Sequence, residues 1–220
     1  MALSKTAKKI LSDLTDASPL GEIKKTAKEI KKDHDLALEL WATGLHQARL
    51  LATLIFDTKQ LDQPFIEKLA ADLNQATVKN RNQISEWLLA NQLTKSKKTS
   101  SLIESWQHHS SAVLQRLFWY YQARLRWTGK GDPGNSAELL AAAKKDMADA
   151  HPDVQWAMNF CLGWIGIYEP KYRERCINLG KKLGLYEDEV VAKNCTPSYL
   201  PEFIRIEVDK ITKSQAAKAS

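Results

Sequence analysis

Residues 38–55 read LELWATGLHQARLLATLI. Trp41, Leu45, Leu50, Leu51, Leu54 and Ile55 recur at helical spacing on either side of Gly44. A glycine in the middle of such a pattern marks a break, so the stretch predicts two helices joined by a tight turn. The same form returns as IESWQHHSSAVLQRLFWYYQ over residues 103–122 and as KKDMADAHPDVQWAMNFCLGWIG over residues 144–166. Each copy has a short helix ending on an apolar residue, a bend of a few polar residues, and a longer apolar helix. One such hairpin cannot cover its own apolar face, so several must stack. The reading is therefore an all-α protein, an α-solenoid of about five or six antiparallel helix pairs with a concave basic face. An ordinary helical bundle with accidental similarity between the copies is the alternative.

Working outward, the first 20 residues read as a short amphipathic helix with Ile10, Leu11 and Leu14 on one side. Residues 21–32 form a helix with a cationic face of Lys24, Lys25, Lys28, Lys31 and Lys32. Asp62 and Pro64 are the cap and first turn of a helix ending over 69–73, and residues 78–89 are its partner. Residues 101–107 and 112–127 make a further pair with 108–111 as the bend. Residues 129–134 form a loop. Then come helices over 136–148, over 153–166 with Pro152 near the first turn, and from Pro170 to about Leu183. Residues 187–201 look irregular, a last helix covers 202–211, and the final residues fray. We read one domain over residues 1–220.

Composition narrows the class. The chain has 220 residues, 44% of them hydrophobic, with only nine Gly and seven Pro, which is sparse for a protein of many short strands. Lys and Arg number 32 against 26 Asp and Glu, giving a formal charge of +6, so an anionic partner is favoured but not named. Cys161, Cys176 and Cys195 form no CxxC pair, and an odd count argues against a disulfide framework. No signal-like or membrane-length apolar stretch occurs, and the expected location is the cytoplasm. No HExxH, Walker or GxGxxG pattern occurs, and no metal or other cofactor is expected. His108 and His109, adjacent in a bend, read as solvated. The cluster Lys95, Lys97 and Lys98 is a solvated loop or a phosphate contact. Most of the seven tryptophans read as core. Trp156, with Phe160 one turn on, is the pair expected on the concave side.

The stretch GEIKKTAKEIKKDHDLALELWATGLHQARLLATLI, residues 21–55, resembles the bacterial DNA alkylation repair proteins, AlkD-type glycosylases built from HEAT-like repeats. AVLQRLFWYYQ at 112–122 and PDVQWAMNFCLGWIG at 152–166 agree, and the resemblance covers roughly residues 20–185. Beyond it lie the irregular segment and terminal helix of 186–220. The resemblance implies a clamp that holds duplex DNA on its concave face and hydrolyses the glycosidic bond of cationic alkylated purines. It also implies a carboxylate that stabilises the cationic sugar, with aromatic rings against the lesion nucleotide.

Carried over residue by residue, the resemblance puts its helix-start Trp on Ala76 and its Asp, four residues on, on Asn80, within NQATVKNR at 74–81. A second Trp falls on Phe160. The phosphate-contacting Arg of LQR is Arg116. Arg49, Lys79 and Arg81 are weaker phosphate candidates, at the starts of second helices. Asn80 is neutral and cannot offset developing positive charge as a carboxylate does. Asp72 is the nearest acid that a shifted alignment would offer. Three functions follow from this reading: a duplex-DNA binder, expected as a monomer, with reduced or absent base excision; an active glycosylase using another carboxylate; or a helical-repeat scaffold for a protein partner.

Overall fold

Six polar side chains set where helices start. Ser4, Asp33, Asp62, Thr77 and Ser96 each accept a hydrogen bond from the backbone N–H three residues on, at 3.0–3.3 Å. His151 accepts from the Asp153 N–H beside Pro152, at 3.2 Å. These caps satisfy amide groups that the helix itself leaves unpaired. The structure, a computed structural model, describes residues 3–15, 18–129 and 133–219. Among them are twelve α-helices and no strand. The helices are α1 (Lys5–Asp13), α2 (Leu20–Ile30), α3 (His34–Ala42), α4 (His46–Ile55), α5 (Gln63–Leu73) and α6 (Val78–Asn91). The remainder are α7 (Lys97–Glu104), α8 (Ala112–Trp127), α9 (Ser136–Asp146), α10 (Pro152–Tyr168), α11 (Pro170–Leu183) and α12 (Leu200–Ala219).

The predicted break at Gly44 stands between α3 and α4, with φ at +74°, a conformation that favours glycine. Asp62 caps α5 and Pro64 occupies its first turn, as read from the sequence. In the loop expected over 129–134, residues 130–132 lie outside the described residues, while Gly129 and Gly134 both have positive φ.

The chain divides into two units, residues 1–117 and 118–220, with the boundary inside α8. Within the first unit, α1 packs on α3, α2 on α4 and α4 on α6, so first helices meet first helices and second helices meet second. Leu40, Leu50, Leu51, Ile55, Ile66, Leu69 and Leu73 are buried there. Within the second unit the same order holds: α9 packs on α11, α10 on α12, and the helices of each pair on one another. Val154, Met158, Leu162, Ile165, Leu200 and Ile204 are buried there.

The terminal helix differs from expectation. It starts at Leu200 and continues to Ala219, with no end at residue 211. Its docking explains the ordered start. A Cβ on Gly180 would lie 2.7 Å from Leu200 Cβ and 2.9 Å from Pro201 Cδ, and one on Gly166 would lie 2.6 Å from Ile204 Cδ1. Gly163 is likewise crowded by the Phe203 ring. Three glycines on α10 and α11 thus make room for α12. The segment before it has no helix, as read, but it is tied down: Asn159 Nδ2 donates to Ser198 O at 2.7 Å, and Ser198 N–H donates to Glu189 Oε2 at 2.6 Å.

Candidate nucleic-acid interface

The first turn of α6 carries Lys79, Asn80 and Arg81. Thr77 caps it, so its amides are already partly satisfied by the protein. Lys79 is exposed, whereas Asn80, Arg81 and Ala76 are half-buried. Arg81 turns back and donates from Nη1 to Ala76 O at 3.3 Å. Two carboxylates flank Asn80 in the sequence. Asp72, near the end of α5, accepts from the Trp41 indole N–H at 2.9 Å. Glu86, less than two turns along α6 from Asn80, is ion-paired with Arg116. Each acid therefore has a structural partner.

The two arginines expected at phosphates, Arg49 and Arg116, are both buried and both have protein partners. Arg49 is only 8% exposed. Its Nε donates to Trp41 O and its Nη1 to Asp72 O, both at 3.2 Å. Those carbonyls belong to the last turns of α3 and α5, where unpaired carbonyls and the negative end of the helix dipole attract a cation. The guanidinium also lies 5.1 Å from the Trp41 ring centroid, and burial lowers its pKa, opposed by the nearby Asp72 charge. Arg116 is buried, with its side chain 3% exposed and paired with Glu86 across α8 and α6. The physical reason for the burial is the same in both cases. A basic residue in the first turns of a second helix is within reach of acids and helix ends in the neighbouring pair, and burial makes that pairing win over solvent. Arg173 repeats the theme, donating to Gly166 O and Ile167 O at the end of α10.

In the second unit, Trp156 and Phe160 are brought together. Their rings stack at 4.8 Å with 16° between planes. They belong to a longer series at every fourth residue of α10: Trp156, Phe160, Trp164 and Tyr168, spanning about 18 Å at 1.5 Å per residue. Trp164 and Tyr168 stack at 5.7 Å and 15°, and Tyr168 is 46% exposed. Tyr120 of α8 stacks on Phe160 at 5.7 Å, and Trp127 meets Phe160 and Trp164 edge-on or tilted. A small cleft of about 90 Å³ beside this strip is lined by Trp156, Asn159, Phe160, Phe203 and residues 196–198. The sequence reading singled out only Trp156 and Phe160. The signal for the rest was present, an aromatic at i, i+4, i+8 and i+12 of one helix.

Of the remaining tryptophans, Trp41, Trp106 and Trp119 are buried as expected, whereas Trp87, Trp127 and Trp164 are half-buried. Lys24 Nζ lies 5.5 Å from the centroid of the Trp87 ring. His108 is exposed, and His109 lies 3.2 Å from Glu67. Among the described residues, no helix is long and apolar enough to cross a membrane.

The stacked helix pairs define a HEAT-like-repeat fold. The chain matches one solved structure over 94% of its own length and 89% of the other, with a TM-score of 0.68 and 21% identity. That structure is described as a new family of proteins related to the HEAT-like repeat DNA glycosylases, with affinity for branched DNA structures. Residues 18–183 match the model of the DNA alkylation repair enzyme family, and the chain belongs to that family. A comparison with curated proteins returns no match.

Proposed function

We propose that this member of the DNA alkylation repair family binds DNA with little or no base excision. The observation that carries this reading is the state of the carboxylates around Asn80. An amide stands at the position where the family resemblance puts an acid, Asp72 is held by the Trp41 indole, and Glu86 is neutralised by Arg116. Losing one electrostatic contributor of this kind costs about 100- to 1000-fold in rate. Duplex DNA is the ligand inferred from the family. Branched DNA is the preferred form inferred from the structural neighbour.

With Arg49 and Arg116 buried, backbone contacts in this reading fall to exposed lysines such as Lys79. Trp156 and Phe160, both half-buried in this stacked series, are the rings proposed to lie against an unstacked base or sugar. Substituting Trp156 with Ala is expected to weaken DNA binding about 5- to 150-fold, the equivalent of losing one stacked base. The test of the function measures two things on the same preparations: release of methylated purine from duplex DNA, and affinity for linear and four-way-junction DNA across a salt series. Binding without base release supports the reading. Release at the rate of a full glycosylase overturns it, as does the absence of any salt-dependent DNA binding.

A further inference from the structure

We propose that the three turns between successive helix pairs of the first unit form a second binding site, a cleft for the backbone phosphates of a DNA segment. The cleft is about 420 Å³ and is lined by Lys32, Asp57, Thr58, Lys59, Lys95, Ser96 and Lys98. Lys32 comes from the turn between α2 and α3. Asp57, Thr58 and Lys59 come from the turn between α4 and α5, Lys95 and Ser96 from the turn into α7, and Lys98 from the first turn of α7 itself. Four cations thus face one carboxylate on one surface, although these residues are far apart in the sequence.

The cleft is built and not a chance meeting of mobile side chains. Asp33 N–H donates to Ile55 O at 3.0 Å, fastening the first turn to the second. Thr58 Oγ1 donates to Gln92 Oε1, and the buried Gln92 Nε2 donates to Thr53 O at 3.0 Å, fastening the second turn to the third. Ser96 caps α7, and Thr99 Oγ1 donates to Leu93 O at 2.6 Å. Lys31 has φ at +68° and ψ at −106°, a conformation that costs a non-glycine residue about 1–3 kcal/mol and that turns the chain so that Lys32 enters the cleft. Lys32 Nζ is 3.1 Å from Asp57 Oδ1, which also accepts from Lys59 N–H at 3.0 Å. The single acid therefore positions two of the lysines, and a net positive charge is left to be matched. Lysine heads spread over three turns, acting as point charges with no planar fork to match a particular group, suit a run of phosphates read without regard to sequence. The start of α7 adds the positive end of its dipole.

The inference rests on the DNA-binding reading above, and the experiment separates the two. A Lys59→Gln/Lys95→Gln/Lys98→Gln variant leaves the Lys32–Asp57 pair in place. A Lys8→Gln/Lys9→Gln/Lys68→Gln variant removes the same charge from exposed sites elsewhere. Both are compared with the natural protein on a linear duplex and a four-way junction, by the slope of log affinity against log salt. Inorganic phosphate is added as a competitor. Each lost phosphate contact flattens the slope by about 0.9 units, so the cleft variant is expected to lose about three units and the control variant less than one. Equal slopes for the cleft variant and the natural protein overturn the cleft. Equal losses in both variants also overturn it, because they show an effect of net charge alone. Displacement of DNA from the natural protein by millimolar phosphate at constant ionic strength, absent in the cleft variant, would make it a small-anion pocket and overturn the backbone assignment. If the natural protein binds no DNA, the functional reading fails and the cleft assignment with it.

Discussion

At the scale of single residues, burial decides the role of the charged groups. Arg116 is expected to act on stability. Its side chain and that of Glu86 are 3% and 26% exposed, so removing the cation strands a largely desolvated carboxylate. Breaking a fully buried pair costs about 3–5 kcal/mol, and the partial exposure of Glu86 brings this to about 2–3 kcal/mol. Arg116→Ala is therefore expected to lower Tm by about 5–10 °C in a chain of this size, while the salt slope of DNA binding is unchanged. Thermal melts and binding isotherms on one preparation check both, and a slope flattened by one unit with no loss of Tm would return Arg116 to the interface. The cysteines offer a separate check. Burial pushes the Cys161 and Cys176 thiols up to about 12, whereas Cys195 is exposed. At pH 8 one thiol per chain is expected to react quickly with a chromogenic disulfide, and three after unfolding. Fast reaction of two or more thiols in the native protein would show that the second unit opens.

At the scale of helices, α12 is expected to be the element most sensitive to a single methyl group. Gly180→Ala places its Cβ 2.7 Å from Leu200 Cβ and 2.9 Å from Pro201 Cδ, positions close to backbone that cannot swing away. Such overpacking costs about 1–3 kcal/mol, seen as a lower Tm, and an unchanged Tm would mean that α12 is not docked on α11 in solution. This contact was not legible in the sequence, where Gly180 reads only as a weak point in a helix and the close approach of residues 200–201 is a long-range fact. What was legible is what local chemistry dictates: the break at Gly44, the Asp62 cap with Pro64, and the pairing that the repeated hairpin implies. The candidate site was less so. The i+4 aromatic series on α10 was there to be read, but Arg49 and Arg116 could be assigned to helix ends and to Glu86 only once neighbouring pairs were in place. A basic residue at a helix start looks the same in the sequence whether it meets a phosphate or a carbonyl.

At the scale of the whole molecule, the formal charge of +6 gives a basic chain whose arginines are in good part occupied internally. Arg126, for instance, is buried among Glu169, Ser136 and Asn135. Exposed lysines are left to meet a polyanion, and that predicts binding dominated by counterion release, steep in salt and indifferent to base sequence. The family supplies the chemistry against which the chain is to be judged. A cationic purine is already a good leaving group, so base excision asks a protein mainly to stabilise positive charge on the sugar, and in the proposed reading Asn80 brings no charge to that task. The most direct test is release of methylated purine from duplex DNA by the natural protein, by Asn80→Asp, and by Ala76→Trp with Asn80→Asp. The account predicts DNA binding by all three, release near background for the natural protein, and a gain for the double replacement. Release by the natural protein at the rate of a full glycosylase, undiminished in Asn80→Ala, would contradict it.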